Sequence, residues 1–393
     1  MVLRSEQVAE KSRKRKEQTE YFFDYSLLFI VLFLLGFGLV MIYSVSSYEA
    51  YQDYNNASYY LRRQAVASAL GLAAMIVVAN IPYRFWIRFT TLGYLISLVL
   101  ICMVPFFGIE SHGAKRWLPV PVINFNLQPA EVAKLCMILF LANMVCRMGK
   151  SVRTWKGMAI LIGMSLPAVV TVWKLTNNLS SAIIILGIAV LMIFVASPYY
   201  KRFFLIGGGG LALVVALVYI LYQVGMQEGM NFRFQRILTW LHPELDPQGT
   251  GFQTLQALYA IGSGGIWGKG LGESMQKLGF IPEAQNDMIF SVICEELGLF
   301  GAIAVILMFI MLLWRMMIIA NNAPDLFGSF LVVGVIGHIA IQVILNIAVV
   351  TNSIPNTGIS LPFISYGGSS VLFLLIEIGL VLSVAKRIQL KEI

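Results

Sequence analysis

The stretch YSLLFIVLFLLGFGLVMIYSVS, Tyr25 to Ser46, runs 22 residues without a charge. As a helix it spans about 33 Å, the depth of a bilayer's hydrocarbon core, and it is too long for a cleaved signal. Nine further apolar blocks follow near 64–81, 86–105, 131–147, 157–173, 181–196, 203–224, 287–314, 326–349 and 368–385. The sequence therefore predicts an all-α polytopic membrane protein with ten transmembrane helices. Of 393 residues 58% are apolar and 12% charged, against roughly a quarter charged in a soluble domain. That balance excludes a water-soluble enzyme and leaves no room for a separate soluble domain.

The net charge of +8 does not point to nucleic acid, because the bases sit at the ends of apolar blocks. With ten spans, 18 of the 28 Lys and Arg fall on one side and nine on the other. By the positive-inside rule both termini are then cytoplasmic. The expected layout is a cytoplasmic basic tail at 1–23, a membrane domain at 24–386 and a cytoplasmic C-terminal tail at 387–393. One large extracytoplasmic loop, about 225–285, lies between the seventh and eighth spans. Smaller outer stretches run from Phe106 to Gln128 and from Val350 to Gly367. Cys102, Cys136, Cys146 and Cys294 fall in apolar blocks with no C-x-x-C spacing, which argues against a disulfide or zinc site.

Ionisable side chains at membrane depth are costly unless paired or hydrated, so each is a functional candidate. Glu131 and Lys134 open the fourth span three residues apart, which puts acid and base on one helix face. A structural ion pair is the competing reading. Asp287 stands at the outer boundary of the eighth span, where a helix-capping role is the alternative. Glu295 and Glu296 lie about 12 Å deeper. At 100° per residue only Glu295 comes within about 80° of Asp287, although both glutamates suit structural partnership equally well. Glu377 in the last span is ambiguous in the same way.

Pro355 to Gly358 and Leu361 to Ser370 are dense in Gly, Pro and Ser and precede a span. Irregular backbone at this depth must be satisfied by protein or water. Its N–H groups, at Ser365, Gly367, Gly368 and Ser369, together with the following helix N-terminus favour an anion; a plain turn is the alternative. Gly262 to Gly272 lacks the pattern of a phosphate loop and reads as a mobile loop. His338, inside a span, reads as packed rather than as a ligand. Gly207 to Gly210 reads as a close helix contact or a kink.

Taken together, Gln128-Pro129-Ala130-Glu131 to Lys134, Pro282 to Asp287 with Glu295-Glu296-Leu297-Gly298, and Leu361 to Ser370 resemble the SEDS family (shape, elongation, division and sporulation) of the FtsW, RodA and SpoVE type. Asp246-Pro247-Gln248-Gly249 with Gly251-Phe252-Gln253 adds a further match. The resemblance implies a ten-span peptidoglycan glycosyltransferase that polymerises lipid II on the outer face of the bacterial inner membrane. Its implied partners are a single-span class B penicillin-binding protein and other division proteins. The family's catalytic aspartate falls on Asp287, its cavity acid and lysine on Glu131 and Lys134, and Trp117 matches a position near the cavity. Asn286, Gln285 and Asn356 depart from common family residues, and the pattern is nearer the division and sporulation branches than the elongation branch.

The chemistry agrees with those residues. A sugar hydroxyl attacks an anomeric carbon while undecaprenyl pyrophosphate leaves, with inversion, so one displacement and one base suffice. A pyrophosphate needs no proton donor, unlike a glycosidase leaving group, but it needs positive charge. Lys134, Arg233, Arg236, the helix N-terminus after Gly368 or a divalent cation are the candidates. On this reading Asp287 takes the acceptor proton, Lys134 stands near the pyrophosphate and Glu131 orients Lys134. A lipid II flippase and a non-catalytic division scaffold are the rival readings: the first makes no polymer, and the second tolerates neutral residues at 131, 134 and 287.

Overall fold

The computed structural model describes residues 24–111, 114–120, 125–225, 240–246, 249 and 251–388. The expected basic tail, residues 389–393, Arg233, Arg236, Pro247 and Gln248 lie outside the described residues. The helices are α1 (Tyr25–Tyr54), α2 (Tyr59–Asn80), α3 (Thr90–Phe107), α4 (Pro129–Met148), α5 (Trp155–Thr176), α6 (Leu179–Ala196), α7 (Tyr200–Gly225), α8 (Phe252–Gly264), α9 (Ile289–Asn321), α10 (Leu326–Val350) and α11 (Gly368–Ala385). Among the described residues nine helices are long and apolar enough to cross a membrane. Helix α7 stands where the seventh span is expected; its 26 residues reach about 39 Å. Among the described residues, nothing lies within 4 Å of a Cβ placed at Gly207 to Gly210, so no close helix contact is formed there among them.

The expectation of an all-α chain needs one correction. The outer stretch between α3 and α4 folds into a small antiparallel sheet, β1 (Ile109–Ser111), β2 (Ala114–Val120) and β3 (Phe125–Leu127), in the order β1-β2-β3. Two of these strands are three residues long, too short to leave a two-residue period in the sequence. The sheet has a positional consequence. Leu118 pairs with Leu127, so β2 delivers Trp117 close to the first turn of α4.

Capping residues set several helix starts. Asp24 accepts from Leu27 N at 2.9 Å and also pairs with Arg315 of α9 at 2.8 Å, which ties α1 to α9. Asp325 accepts from Gly328 N at 2.8 Å and from Arg84 at 2.7 Å, fixing α10 to the chain between α2 and α3. In a bilayer, close approach of small residues drives helix association in place of the hydrophobic effect. Helices α2 and α11 meet in this way: a Cβ on Gly379 would sit 2.7 Å from the Met75 carbonyl oxygen. Helix α4 is buried around most of its surface, as expected of a helix enclosed by others rather than facing lipid.

Helix α9 is broken ten residues in, at Gly298, where φ is +65°, a conformation that costs a side-chain-bearing residue dearly. The break frees backbone groups that lipid cannot satisfy. The segment after α8 satisfies them. Lys269 N donates to Glu295 O at 3.0 Å and Gly270 N to Glu296 O at 2.9 Å, while Leu299 N donates to Gly265 O at 3.0 Å. The glycine-rich stretch expected to be a mobile loop is thus docked against a broken helix.

Candidate functional site

Asp287 lies two residues before the membrane-spanning helix α9 and is half-buried. It does not cap that helix: the capping position belongs to Met288, which makes no side-chain cap bond. The capping alternative therefore falls away, and the carboxylate is left for other work. Gly358 borders it, since a Cβ there would sit 3.7 Å from Asp287 Oδ2. Burial pushes the Asp287 carboxyl up to about 6, and the nearby Glu283 charge adds to the rise, while a local backbone hydrogen bond opposes it. The structure answers the direction that sequence left open: desolvation outweighs stabilisation of the charged form. A pKa near 6 leaves the group ionised at neutral pH and basic enough to accept a proton.

Hydrogen bonds join the three separated sequence motifs. Tyr366 N donates to Gln285 O at 2.9 Å, linking the last outer segment to the residues just before Asp287. That segment is shaped by its own polar groups: Leu361 N donates to Ser365 Oγ at 2.8 Å. Gln64 of α2 grips it twice, donating to Ser365 O at 3.3 Å and accepting from Gly367 N at 3.1 Å. Ser369, at the start of α11, donates to Asn126 O at 2.6 Å and accepts from Gln128 N at 3.3 Å. The N-terminal ends of α4 and α11 therefore abut. Gly368 begins α11, but two of the N–H groups expected to favour an anion are already spent, Ser365 N on Leu361 O at 3.0 Å and Gly367 N on Gln64, because the segment satisfies its own backbone.

One turn into α4, Lys134 Nζ lies 2.8 Å from Glu131 Oε1. The pair expected from i, i+3 spacing is formed, at 5% and 1% exposure. Among the described residues Glu131 Oε2 has no hydrogen-bond partner. Trp117 is half-buried on β2, opposite Ile109 of β1, and its neighbour Arg116 donates to Asn177 O at 3.2 Å.

Glu295 does not join this group. It is fully buried and held by Lys269 Nζ at 2.6 Å, by Ser274 Oγ, by Ser263 Oγ at 3.3 Å and by the N–H groups of Met275 and Gln276 at 3.2 and 3.3 Å. Glu296 pairs with Lys277 at 2.8 Å and accepts from Ser44 of α1. Both glutamates are structural anchors for the 263–277 segment, and because Asp287 precedes α9, which starts at Ile289, the helical phase that would set Glu295 near Asp287 does not extend to residue 287. Glu295→Ala is expected to leave the Met275 and Gln276 N–H groups and the Ser274 hydroxyl without their acceptor, and the partly exposed Lys269 without its counter-charge, at a cost of about 1–3 kcal/mol. The measurable result is faster amide exchange and easier proteolysis confined to residues 265–277.

Further groups lie apart. His338 Nδ1 of α10 is 2.8 Å from Glu377 Oε2 of α11, both buried, so the packed reading of His338 gains a named partner. A groove of about 410 Å³ is lined by Tyr43, Ser47, Leu61, Leu271 and their neighbours, and includes neither Asp287 nor Lys134. Among the described residues no group of three or more His, Cys, Asp or Glu comes together that could hold a metal ion. Two residues that touch this region escaped the sequence reading: Gln64, and Asn346, which donates to Asp287 O at 2.8 Å. Both are amides within membrane spans, and that was the available signal.

Residues 25–390 match the FtsW, RodA and SpoVE family model, described as "Cell cycle protein". The chain is 38% identical over 366 residues to stage V sporulation protein E of Bacillus subtilis, covering 92% of this chain and 97% of that protein. It is 38% identical over 370 residues to the probable peptidoglycan glycosyltransferase FtsW of Geobacter metallireducens, covering 93% and 96%. Among solved structures it is similar to a chain described under the structural coordination of polymerization and crosslinking by a peptidoglycan synthase complex. That likeness has a TM-score of 0.75 and 28% identity, over 94% of this chain and 99% of the other. It is also similar to the rod shape determining protein RodA of Thermus thermophilus, with a TM-score of 0.65 and 26% identity over 96% and 100%.

Proposed function

This chain belongs to the FtsW, RodA and SpoVE family, and from that premise we propose how its residues carry out the family's chemistry. It is a multi-pass membrane protein and a peptidoglycan glycosyltransferase of cell division or sporulation. Its substrate is lipid II, polymerised on the extracytoplasmic face of a bacterial inner membrane, with both termini in the cytoplasm. The charge bias of the loops supports that orientation. Its working partner is a single-span class B penicillin-binding protein, in keeping with the peptidoglycan synthase complex that the chain resembles.

In the reaction the acceptor's sugar hydroxyl oxygen bonds to the donor's anomeric carbon, and the bond from that carbon to the pyrophosphate oxygen breaks. Asp287 takes the hydroxyl proton, and undecaprenyl pyrophosphate departs with its negative charge. Lys134 offsets that charge in a site where low dielectric strengthens the attraction. Glu131 holds the lysine through Oε1. The α11 N-terminus at Gly368 adds the positive end of a helix dipole. What supports this reading is the geometry: Tyr366 N bonds to Gln285 O beside Asp287, and three residues on Ser369 bonds to Asn126 and Gln128 at the start of α4, which carries Glu131 and Lys134, while burial raises the Asp287 carboxyl.

The direct test is chain growth. Purified protein with its transpeptidase partner, given lipid II, is expected to yield polymer resolvable by length. Lipid II that only changes leaflet, with no chain formed, would overturn the assignment and favour a flippase.

A further inference from the structure

We propose that Asn346 is a positioning residue for polymerisation: its side-chain amide binds the backbone of Asp287 and the backbone of Ile359 together, and so fixes the Asp287 carboxylate beside Gly358. The inference rests on the reading of Asp287 as the base.

Asn346 lies on α10 and is fully buried. Its single Nδ2 donates to Asp287 O at 2.8 Å and to Ile359 O at 2.6 Å. Both hydrogens of the amide are thus spent on two stretches of chain that are far apart in sequence. One helical turn away, Gln342 Nε2 donates to Ser360 O at 3.0 Å, so the same face of α10 grips two consecutive carbonyls of one extended segment. That segment is the one that borders the carboxylate, because Gly358 stands directly before Ile359 and next to Asp287 Oδ2. With φ at +66°, Gly358 holds a backbone conformation that other residues rarely adopt, and it leaves the space beside the acid open.

No cap bond fixes Asp287 from its own helix, since Met288 holds the capping position of α9. The amide of Asn346 supplies the anchor that the helix start lacks. A leucine would fill the same volume but leave the Asp287 and Ile359 carbonyls without this donor, so the amide both satisfies that backbone and ties the two segments to each other. What the amide adds is a fixed distance between a proton acceptor and the wall of the site. A displacement of about 1 Å at such a point costs on the order of 10²-fold in rate.

The test uses the full chain with its partner transpeptidase and lipid II, comparing the parent, Asn346→Ala and Asn346→Ser, with Asp287→Asn as control. Asn346→Ala is expected to lower kcat by about 10- to 100-fold with KM within about threefold. A loosened carboxylate gains water, so the acid limb of the kcat profile moves to lower pH, with Glu283 as the charged neighbour acting on it. Asn346→Ser, whose hydroxyl can donate to one carbonyl, is expected to fall between the two, and it carries the test if the alanine variant does not fold. Full kcat in either folded variant, or a loss of activity that only tracks the loss of folded protein with the pH profile unmoved, would overturn the proposal. Full activity in Asp287→Asn would instead remove its premise and leave the tether a structural one.

Discussion

Asp287→Asn is expected to leave the protein folded and to reduce polymerisation of lipid II by about 10²- to 10⁴-fold, the usual worth of a general base. The substitution keeps the shape of the side chain and removes only the basic oxygen. The bond from Asn346 to the backbone carbonyl of residue 287 is untouched, so the start of α9 stays in place. The stability effect has a definite sign. Burial raises this carboxyl from 3.8 to about 6, so folding favours its protonated form. The stability contributed by that preference is complete below about pH 4 and lost as pH rises through about 6. At pH 7 the ionised group opposes folding, and the amide variant is expected to melt at the same temperature as the parent or higher. The parent's kcat is expected to climb with pH through the region of 6 and then level, because the carboxylate is the working form. A variant that melts normally and still lengthens glycan at the parental rate would eliminate Asp287 as the base.

Glu131 and Lys134 give the second large effect, and here the two rival readings separate. Both are buried and joined at 2.8 Å. Glu131→Ala leaves an ammonium with no counter-charge inside the protein and is expected to cost about 3–5 kcal/mol. Removing both charges together, as Glu131→Gln with Lys134→Met, takes away the unpaired charge and is expected to restore most of that stability, since buried pairs often exchange for neutral residues at little cost. Thermal unfolding in detergent measures the recovery. Activity is the discriminating readout. If Lys134 offsets the leaving pyrophosphate, the double variant is folded and inactive. If the pair only ties helices together, activity returns with the fold, and the lysine has no part in the reaction.

The competing demands on these helices explain why some of the architecture was legible and some was not. Length and freedom from charge marked out the spans, because a bilayer imposes one thickness on every helix. The Glu131–Lys134 pair was readable because both partners sit on one helix at i, i+3. Of the two readings open for Glu295 the structural one fits, because α9 starts only at Ile289, so helical phase does not reach back to Asp287, and Lys269 to Gln276 take up the Glu295 carboxylate. The small sheet before α4 escaped because three-residue strands carry no period. Gln64 and Asn346 showed themselves only as amides in apolar surroundings, with nothing to say which chain they hold.

The sequence by itself determined the membrane class and the family, and it singled out Asp287, Glu131 and Lys134 as candidates, since these follow from local chemistry and from motifs that survive as strings of residues. Only the tertiary structure decided how those residues come together. The abutment of α4 on α11 at Ser369, the link from Tyr366 to Gln285 and the grip of Asn346 on Asp287 each join positions scores to hundreds of residues apart in the chain. Such contacts depend on which helices pack as neighbours, and that is settled by the shapes of whole helix faces and the need to satisfy every polar group out of water, neither of which a single segment can display.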